Sequence, residues 1–348
     1  MKRIIACLLT TLFYCSSCHG VDKPVNIKPI KVLLLTALPG SGKSEIRKFL
    51  STLSDETCCT EFGLQSIIEI DDFPYVHLMR VISGELVKLN CQGAYFLSPA
   101  CSFRDPIEWG TLIHLINEDY YDIMNRKRAQ PKSAALWLFN RFDNARKKMG
   151  AQPILSKLSK KVRTQLAQII EPEAQKLLKN RNAEISKAKD LQHATVIIEF
   201  ARGGADSSPM PLPKPYGYQY AFSQLSPAIL EQASILYVWV SPEESRRKNE
   251  ARANPQDPGS ILNHAVPRAV MFSEYGCDDI AWLVEKAQKP GRIDIVAHGK
   301  KYQLPIGRFD NRIDKTSFIR NDQKQWKKTE TSSLFNGLKD AFEPLVTI

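Results

Sequence analysis

Residues 32–44 read Val-Leu-Leu-Leu-Thr-Ala-Leu-Pro-Gly-Ser-Gly-Lys-Ser. An unbroken apolar run enters a turn containing Gly40 and Gly42, and a helix-compatible stretch, Glu45 to Leu50, leaves it. No other segment constrains the fold as strongly. A short run apolar on both faces belongs to a strand buried inside a parallel sheet. A glycine turn that opens directly into a helix gathers unpaired backbone N–H groups into an anion cradle. Gly40 and Gly42 carry no Cβ, so the backbone can approach a phosphate closely. In such a loop Lys43 would reach the β- and γ-phosphates of a nucleoside triphosphate, and the Ser44 hydroxyl would hold Mg²⁺. The candidate nucleotide-binding residues are therefore Ala37, Leu38, Pro39, Gly40, Ser41, Gly42, Lys43 and Ser44. Ala37 stands where the usual eight-residue pattern begins with glycine.

Five strand candidates follow from apolar runs at 31–36, 65–70, 195–200, 235–240 and 293–297. Their alternation with helical stretches predicts a doubly wound α/β fold with ligands at the C-terminal ends of the strands. The gap at 73–194 reads as a mainly helical insertion lying over the sheet. Asp105-Pro106-Ile107-Glu108 is a helix start, with Asp105 as cap and Glu108 completing a capping box. Trp109, Leu112, Ile113, Ile116, Tyr120, Ile123 and Met124 then share one helical face and read as core. A second helical stretch covers 157–170 and is followed by Pro172, and a third covers 173–187. Residues 208–215 alternate proline and favour an extended polyproline conformation. Tyr216, Tyr218, Tyr220 and Phe222 follow, so this segment reads as a stiff connection or as a cover for a pocket. The chain thus divides into a leader at 1–20, a domain at 21–314 with the 73–194 insertion, and a polar, basic extension at 315–348 with a short apolar end, Leu334 to Val346.

Two strand ends bring acids toward the glycine turn: Glu69-Ile70-Asp71-Asp72 and Glu199-Phe200-Ala201-Arg202-Gly203-Gly204. Phosphoryl transfer needs an acid that orients Mg²⁺ and benefits from a base near the acceptor hydroxyl. Glu199 is the candidate metal-side acid, and Asp71 or Asp72 the candidate for acceptor binding or base. After the fourth run, Ser241-Pro242-Glu243-Glu244 starts a helix that carries Arg246 and Arg247 in its first turns, with Arg252 further on. The planar, permanently charged guanidinium suits the neutralisation of a phosphoryl group in transit. Arg80 and Arg104 could bind an anionic acceptor.

On these residues the chain resembles the P-loop kinases of the nucleoside and nucleotide-kinase type, and most of it also resembles uncharacterised bacterial P-loop proteins. The resemblance implies a three-layer P-loop NTPase fold with a five-stranded, mainly parallel sheet, a helical acceptor-binding insertion after the second strand and an arginine-bearing lid after the fourth. Carried over, Gly40 to Ser44 would hold the phosphates of ATP (or GTP) and Mg²⁺. Asp71 or Asp72 would bind the acceptor, and Arg246, Arg247 or Arg252 would belong to the lid. The implied activity is ATP- and Mg²⁺-dependent phosphoryl transfer to a small polar or anionic acceptor. The alternatives are a P-loop ATPase or GTPase acting as a switch or binding module, and a polynucleotide-binding NTPase. Ala37 and the long insertion depart from the family pattern.

Charge and cysteine usage bound the partners and the compartment. The net charge is +11, from 48 Lys and Arg against 37 Asp and Glu, which favours an anionic partner. Residues 146–190 hold twelve of the basic residues with no aromatic between them. That pattern reads as a solvated helical face rather than a nucleic-acid track, which would interleave stacking rings. No apolar run is long enough for a membrane span. Lys2 and Arg3 precede the apolar stretch Ile4 to Tyr14 and Cys15-Ser16-Ser17-Cys18-His19, the form of a secretory signal, with a lipid anchor at Cys15 or Cys18 as one ending. The same Cys-x-x-Cys-His matches a c-type haem attachment site. A true start at Val21 would remove the leader. Cys58, Cys59, Cys91, Cys101 and Cys277 show no regular spacing, and the default is free, mostly buried thiols. The body reads as cytoplasmic, or as exported or lipid-anchored if 1–20 is a signal. The six histidines are scattered, and neither a zinc motif, a Gly-x-Ser-x-Gly elbow nor a Gly-x-Gly-x-x-Gly turn is present. Asn311-Arg312-Ile313-Asp314 is only faintly similar to the guanine-reading Asn-Lys-x-Asp of GTPases and lies far beyond the fifth strand candidate.

Overall fold

A computed structural model describes residues 27–187, 190–252 and 265–347. The leader and the Val21 start lie outside the described residues. The chain runs β1 (Val32–Thr36), α1 (Lys43–Leu50), α2 (Asp55–Phe62) and β2 (Ser66–Asp71). The insertion follows as α3 (Phe73–Lys88), α4 (Glu108–Met124), α5 (Ala134–Lys148) and α6 (Lys160–Lys187). Next come β3 (Ala194–Phe200), α7 (Gly217–Ser223), α8 (Pro227–Leu230), β4 (Ala233–Trp239), α9 (Pro242–Ala251), α10 (Arg268–Ser273) and α11 (Ile280–Lys286). The chain ends with β5 (Arg292–Ala297), β6 (Lys300–Asp310) and α12 (Lys328–Val346).

The sheet order is β2-β3-β1-β4-β6-β5, parallel except for the β5–β6 pair. Its central strands are apolar on both faces, as the sequence predicts, and β1 and β3 are buried along their whole length. The sheet has six strands, not five. The run at 293–297 is an antiparallel edge strand, and the fifth parallel strand is β6, which the sequence reading did not contain. β6 alternates polar and apolar residues and includes Pro305 and Gly307, so it lacks the continuous apolar signature of its neighbours. A two-residue hairpin turn joins the pair, with His298 (φ 52°) and Gly299 (φ 71°) both left-handed.

Connections from β1 and β3 lead to opposite sides of the sheet, which opens a crevice at their C-terminal ends. One face is covered by α1, α2 and α12, where Leu33 and Leu35 meet Ile46, Phe49, Phe62, Leu338 and Phe342. The stretch read as a polar extension therefore supplies a core helix. The opposite face is covered by α4, α7, α8 and α11. Beyond it, α3, α5 and α6 enclose a further apolar cluster with α4, including Met79, Ile82, Leu112, Leu138, Phe139, Phe142 and Leu166.

Pro172 does not end a helix: the two stretches expected on either side of it form the single helix α6. An internal proline costs about 3 kcal/mol. The buried stripe Leu166, Ala167, Ile170, Ala174 and Leu178 runs straight across it, and that burial holds the helix together. Asp105 accepts from Ile107 N at 3.1 Å, but Glu108 does not close a capping box. Glu108 is buried and ion-paired with Arg146 of α5. At α9 the expected cap is present, with Ser241 Oγ accepting from Glu244 N at 3.2 Å. Among the described residues the five cysteines are free, but only Cys58 is buried, since few of these positions face a core. No helix among the described residues is long and apolar enough to cross a membrane.

Candidate functional site

The turn between β1 and α1 is held from behind. Gly40 (φ 73°) and Gly42 (φ 107°) occupy left-handed backbone conformations. A Cβ on Gly40 would lie 2.7 Å from Ser245 O, and one on Gly42 would lie 2.4 Å from Thr316 Oγ1. Both glycines are therefore required by packing behind the loop as well as by its shape. Three side chains from distant segments hold alternate loop carbonyls. Tyr218 Oη donates to Ala37 O at 2.9 Å and accepts from Ala37 N at 2.8 Å. Ser245 Oγ donates to Pro39 O at 2.7 Å, and Asn311 Nδ2 to Ser41 O at 2.6 Å. With these carbonyls engaged, the N–H groups of the turn and of the uncapped start of α1 form the positive side of the loop. Ser41 Oγ is buried without a partner, and Lys43 Nζ makes two long contacts, 3.3 Å each, to Ala37 O and Leu38 O. Burial lowers the Lys43 pKa, and Glu199 opposes that shift.

Beside the loop lies an acidic cluster set by strand register. Asp71 on β2 pairs directly with Glu199 on β3. Ser44 Oγ donates to Glu199 Oε1 at 3.2 Å. Arg47, one turn further along α1, reaches Glu199 at 2.8 Å, Asp71 at 2.9 Å and Glu69 at 3.0 Å. Burial and the Glu199 charge push Asp71 up to about 7 in spite of Arg47. Asp72 goes elsewhere: its Oδ2 accepts from Arg202 Nη1 at 2.7 Å. Burial raises its pKa, and Arg202 pulls it back. The neighbouring acids thus take different partners, Asp71 pairing with Arg47 and Asp72 with Arg202. Ser44 and Glu199 present hard oxygen donors of the kind Mg²⁺ accepts. Among the described residues no group of three or more His, Cys, Asp or Glu is arranged to cage a metal by itself.

The cleft is lined by loop residues 39–44, by Asp71, Asp72, Glu199 and Arg252, and by a wall from the insertion and α10. Of Arg246, Arg247 and Arg252, the fold brings Arg252 to the cleft. Arg246 and Arg247 do not line it. Arg246 pairs with Glu243 at 3.1 Å and lies over the Phe272 ring, while Arg247 grips Glu244 at 2.6 Å and is 58% exposed. Arg80 lines the cleft and donates to Pro99 O and Cys101 O; Arg104 donates to Gly93 O and does not line it.

Sequence reasoning gave no role to several residues that form this site. Arg202 lies at the cleft between the Trp109 and Phe200 rings, 4.9 and 5.3 Å from their centroids. Its signal was legible as an arginine beside two glycines just past β3. A Cβ on Gly203 would lie 2.5 Å from Cys277 O, so this tight approach brings Glu274 and Tyr275 to the cleft. Trp109, read as core, is part of the wall with Phe96, Phe103 and Tyr275. The proline segment at 208–215 does not line the cleft. Leu212 packs on Gly204, and the segment leads to the strut Tyr218. Asn311 and Asp314 are also struts, the latter accepting from Lys248 Nζ at 2.8 Å. No family model matches the chain, and neither a curated protein nor a solved structure matches it.

Proposed function

We propose that the chain is a P-loop kinase, transferring the γ-phosphoryl group of ATP (or GTP) to a small-molecule acceptor with Mg²⁺. The observation that carries this reading is the loop itself. Its carbonyls are held back by Tyr218, Ser245 and Asn311, and Lys43 and Ser44 stand at the helix start beside Glu199. The unpartnered Ser41 hydroxyl and the weakly engaged Lys43 fit a polyphosphate in that cradle. The strand order and the crevice between β1 and β3 support the P-loop resemblance.

Ser44 and Glu199 would hold Mg²⁺, whose remaining ligands in such sites are phosphate oxygens and water. When bound, the ion neutralises charge on the β- and γ-oxygens. Lys43 and Arg252 supply fixed positive charge on the protein side. Asp72, oriented by Arg202, receives the acceptor hydroxyl proton. The acceptor oxygen bonds to the γ-phosphorus as the bond to the β–γ bridging oxygen breaks, and the nucleoside diphosphate leaves. Guanine reading by Asn311 and Asp314 is not favoured, because both side chains are engaged behind the loop.

The test incubates the full chain with γ-labelled ATP or GTP, Mg²⁺ and pooled metabolites. Label moving onto a small molecule is the expected result, whereas phosphate release alone would make the chain an NTP hydrolase. Lys43→Ala should weaken nucleotide binding by about ten- to a hundredfold, the scale of a charged hydrogen bond. Undiminished binding in that variant would overturn the use of the loop.

A further inference from the structure

We propose that the acceptor is an alcohol bearing a flat, largely apolar ring, seated on the wall of Phe96, Phe103, Trp109 and Tyr275 with a polar ring substituent between Arg80 and Glu274. This deepens the phosphoryl-transfer reading and rests on it.

The wall is a relay of rings. Phe96 stacks on Phe103 with centroids 4.5 Å apart, Phe103 meets Trp109 edge-on at 4.9 Å, and Trp109 meets Tyr275 edge-on at 5.8 Å. Val76, Pro267 and Val270 complete it. A flat ring gains contact area and favourable edge or stacked geometry on such a surface. A polyol would lose the water around its hydroxyl groups and find few partners there.

The two arginines in this half of the cleft are packed on the rings of the wall. In this half of the cleft Arg202 is ion-paired with Asp72 at 2.7 Å and lies against two rings. Arg80 donates to Pro99 O at 2.9 Å and Cys101 O at 3.2 Å, with its guanidinium 3.9 Å from the Phe96 centroid. Arg202 and Asp72 neutralise one another, and Arg80 holds two backbone carbonyls rather than a carboxylate. Lys43 and Arg252 lie by the loop, where the triphosphate needs them.

Glu274 supplies the polar reader. It is 5% exposed and lines the cleft, in the field of Arg80 but without an ion pair to it. Burial pushes its carboxyl up to about 7 against a hydrogen bond from Ser102 and the Arg80 charge. A group near that value both accepts and donates, which suits a phenol or amide substituent that can do the same. The acceptor hydroxyl at the other end of the ring then points to Asp72.

The test measures binding to the full chain, with Mg²⁺ and a non-hydrolysable ATP analogue present, of tyrosol (a phenol with an alkyl alcohol), inositol and glycerol phosphate. Tyrosol should bind at least about tenfold tighter than the other two. Glu274→Leu should remove about that preference, while Glu274→Gln, which keeps both hydrogen-bonding capacities, should retain most of it. Retained analogue binding in each variant verifies the fold. Tightest binding by inositol or glycerol phosphate, no binding of tyrosol, or a preference unchanged in Glu274→Leu would each overturn the proposal. Analogue binding is read separately: if the wild-type chain does not bind it, or Lys43→Ala binds it equally, the phosphoryl-transfer reading fails instead.

Discussion

Arg246, Arg247 and Arg252 are indistinguishable as residue types, yet only Arg252 lines the cleft. Arg247 is spent on Glu244 in an exposed pair of the kind that contributes about 0–1 kcal/mol. Arg252 is mostly enclosed; burial lowers its pKa, and Glu45 opposes the shift. Arg252→Ala should therefore weaken nucleotide binding by about tenfold, the scale of a charged hydrogen bond, and Arg247→Ala should leave it nearly unchanged. Titration calorimetry with ATP on both variants checks this, and equal effects would place the cation elsewhere. Glu199→Ala removes the acid that Ser44 and Arg47 share. Its expected signature is a Mg²⁺ requirement shifted upward by about tenfold or more in the transfer assay. An unchanged Mg²⁺ dependence would remove Glu199 from the metal side.

At the scale of elements, the loop depends on parts that meet only in space. Tyr218 stands at the start of α7, Ser245 in α9 and Asn311 just past β6. Each holds one loop carbonyl, so each acts as a positioning residue rather than as a ligand. Tyr218→Phe keeps the ring stacked on Phe222 and removes only the hydroxyl. It should cost about 1–2 kcal/mol of stability, as loss of a buried hydrogen-bond partner does, and weaken ATP binding several-fold beyond that. A variant with the lower melting temperature and unchanged ATP affinity would show that the strut serves stability alone.

A second element-level device is the start of α5. Glu171, reaching from α6, accepts from Ser133 Oγ at 2.7 Å, Ala134 N at 2.9 Å and Ala135 N at 3.0 Å. Desolvation, the largest single influence, raises its pKa, and the hydrogen bonds together outweigh it, holding the carboxyl at about 2. A folded-state value below the unfolded 4.5 means the stabilisation is present above the ordinary carboxylate range and fades as pH falls toward about 2. Glu171→Gln should cost about 1 kcal/mol at neutral pH, with the gap to wild type closing between about pH 5 and pH 2. Urea melts at several pH values measure it. A gap independent of pH would mean the charge is not what caps the helix.

For the whole molecule, the C-terminal helix is as much core as the central strands. Leu334, Leu338, Phe342 and Leu345 of α12 are buried against α2, β4 and β6. Burying one such side chain contributes about 1.5–3 kcal/mol, so four approach the whole margin of about 5–15 kcal/mol. Deleting residues 328–347 should abolish cooperative thermal unfolding, and a sharp transition in the truncated chain would contradict this.

The sequence by itself determined the α/β class, the four parallel strands with continuous apolar runs, the glycine turn and the acids that close β2 and β3. Those are local signals: an apolar run, a left-handed turn and a strand end each lie within a few neighbouring residues. Only the tertiary structure decided the rest. β6 has a mixed pattern that becomes a parallel strand because β4 pairs with it. Pro172 lies inside a helix because the buried stripe on either side outweighs its local cost. Asp71 and Asp72 are adjacent in sequence, but they pair with different arginines, Arg47 and Arg202, 24 and 130 residues away along the chain. Alternate loop carbonyls, likewise, are held by hydroxyl and amide groups that no spacing rule connects to the loop. Hydrogen bonding and burial depend on distance in space, and at these positions sequence separation carries almost none of that information.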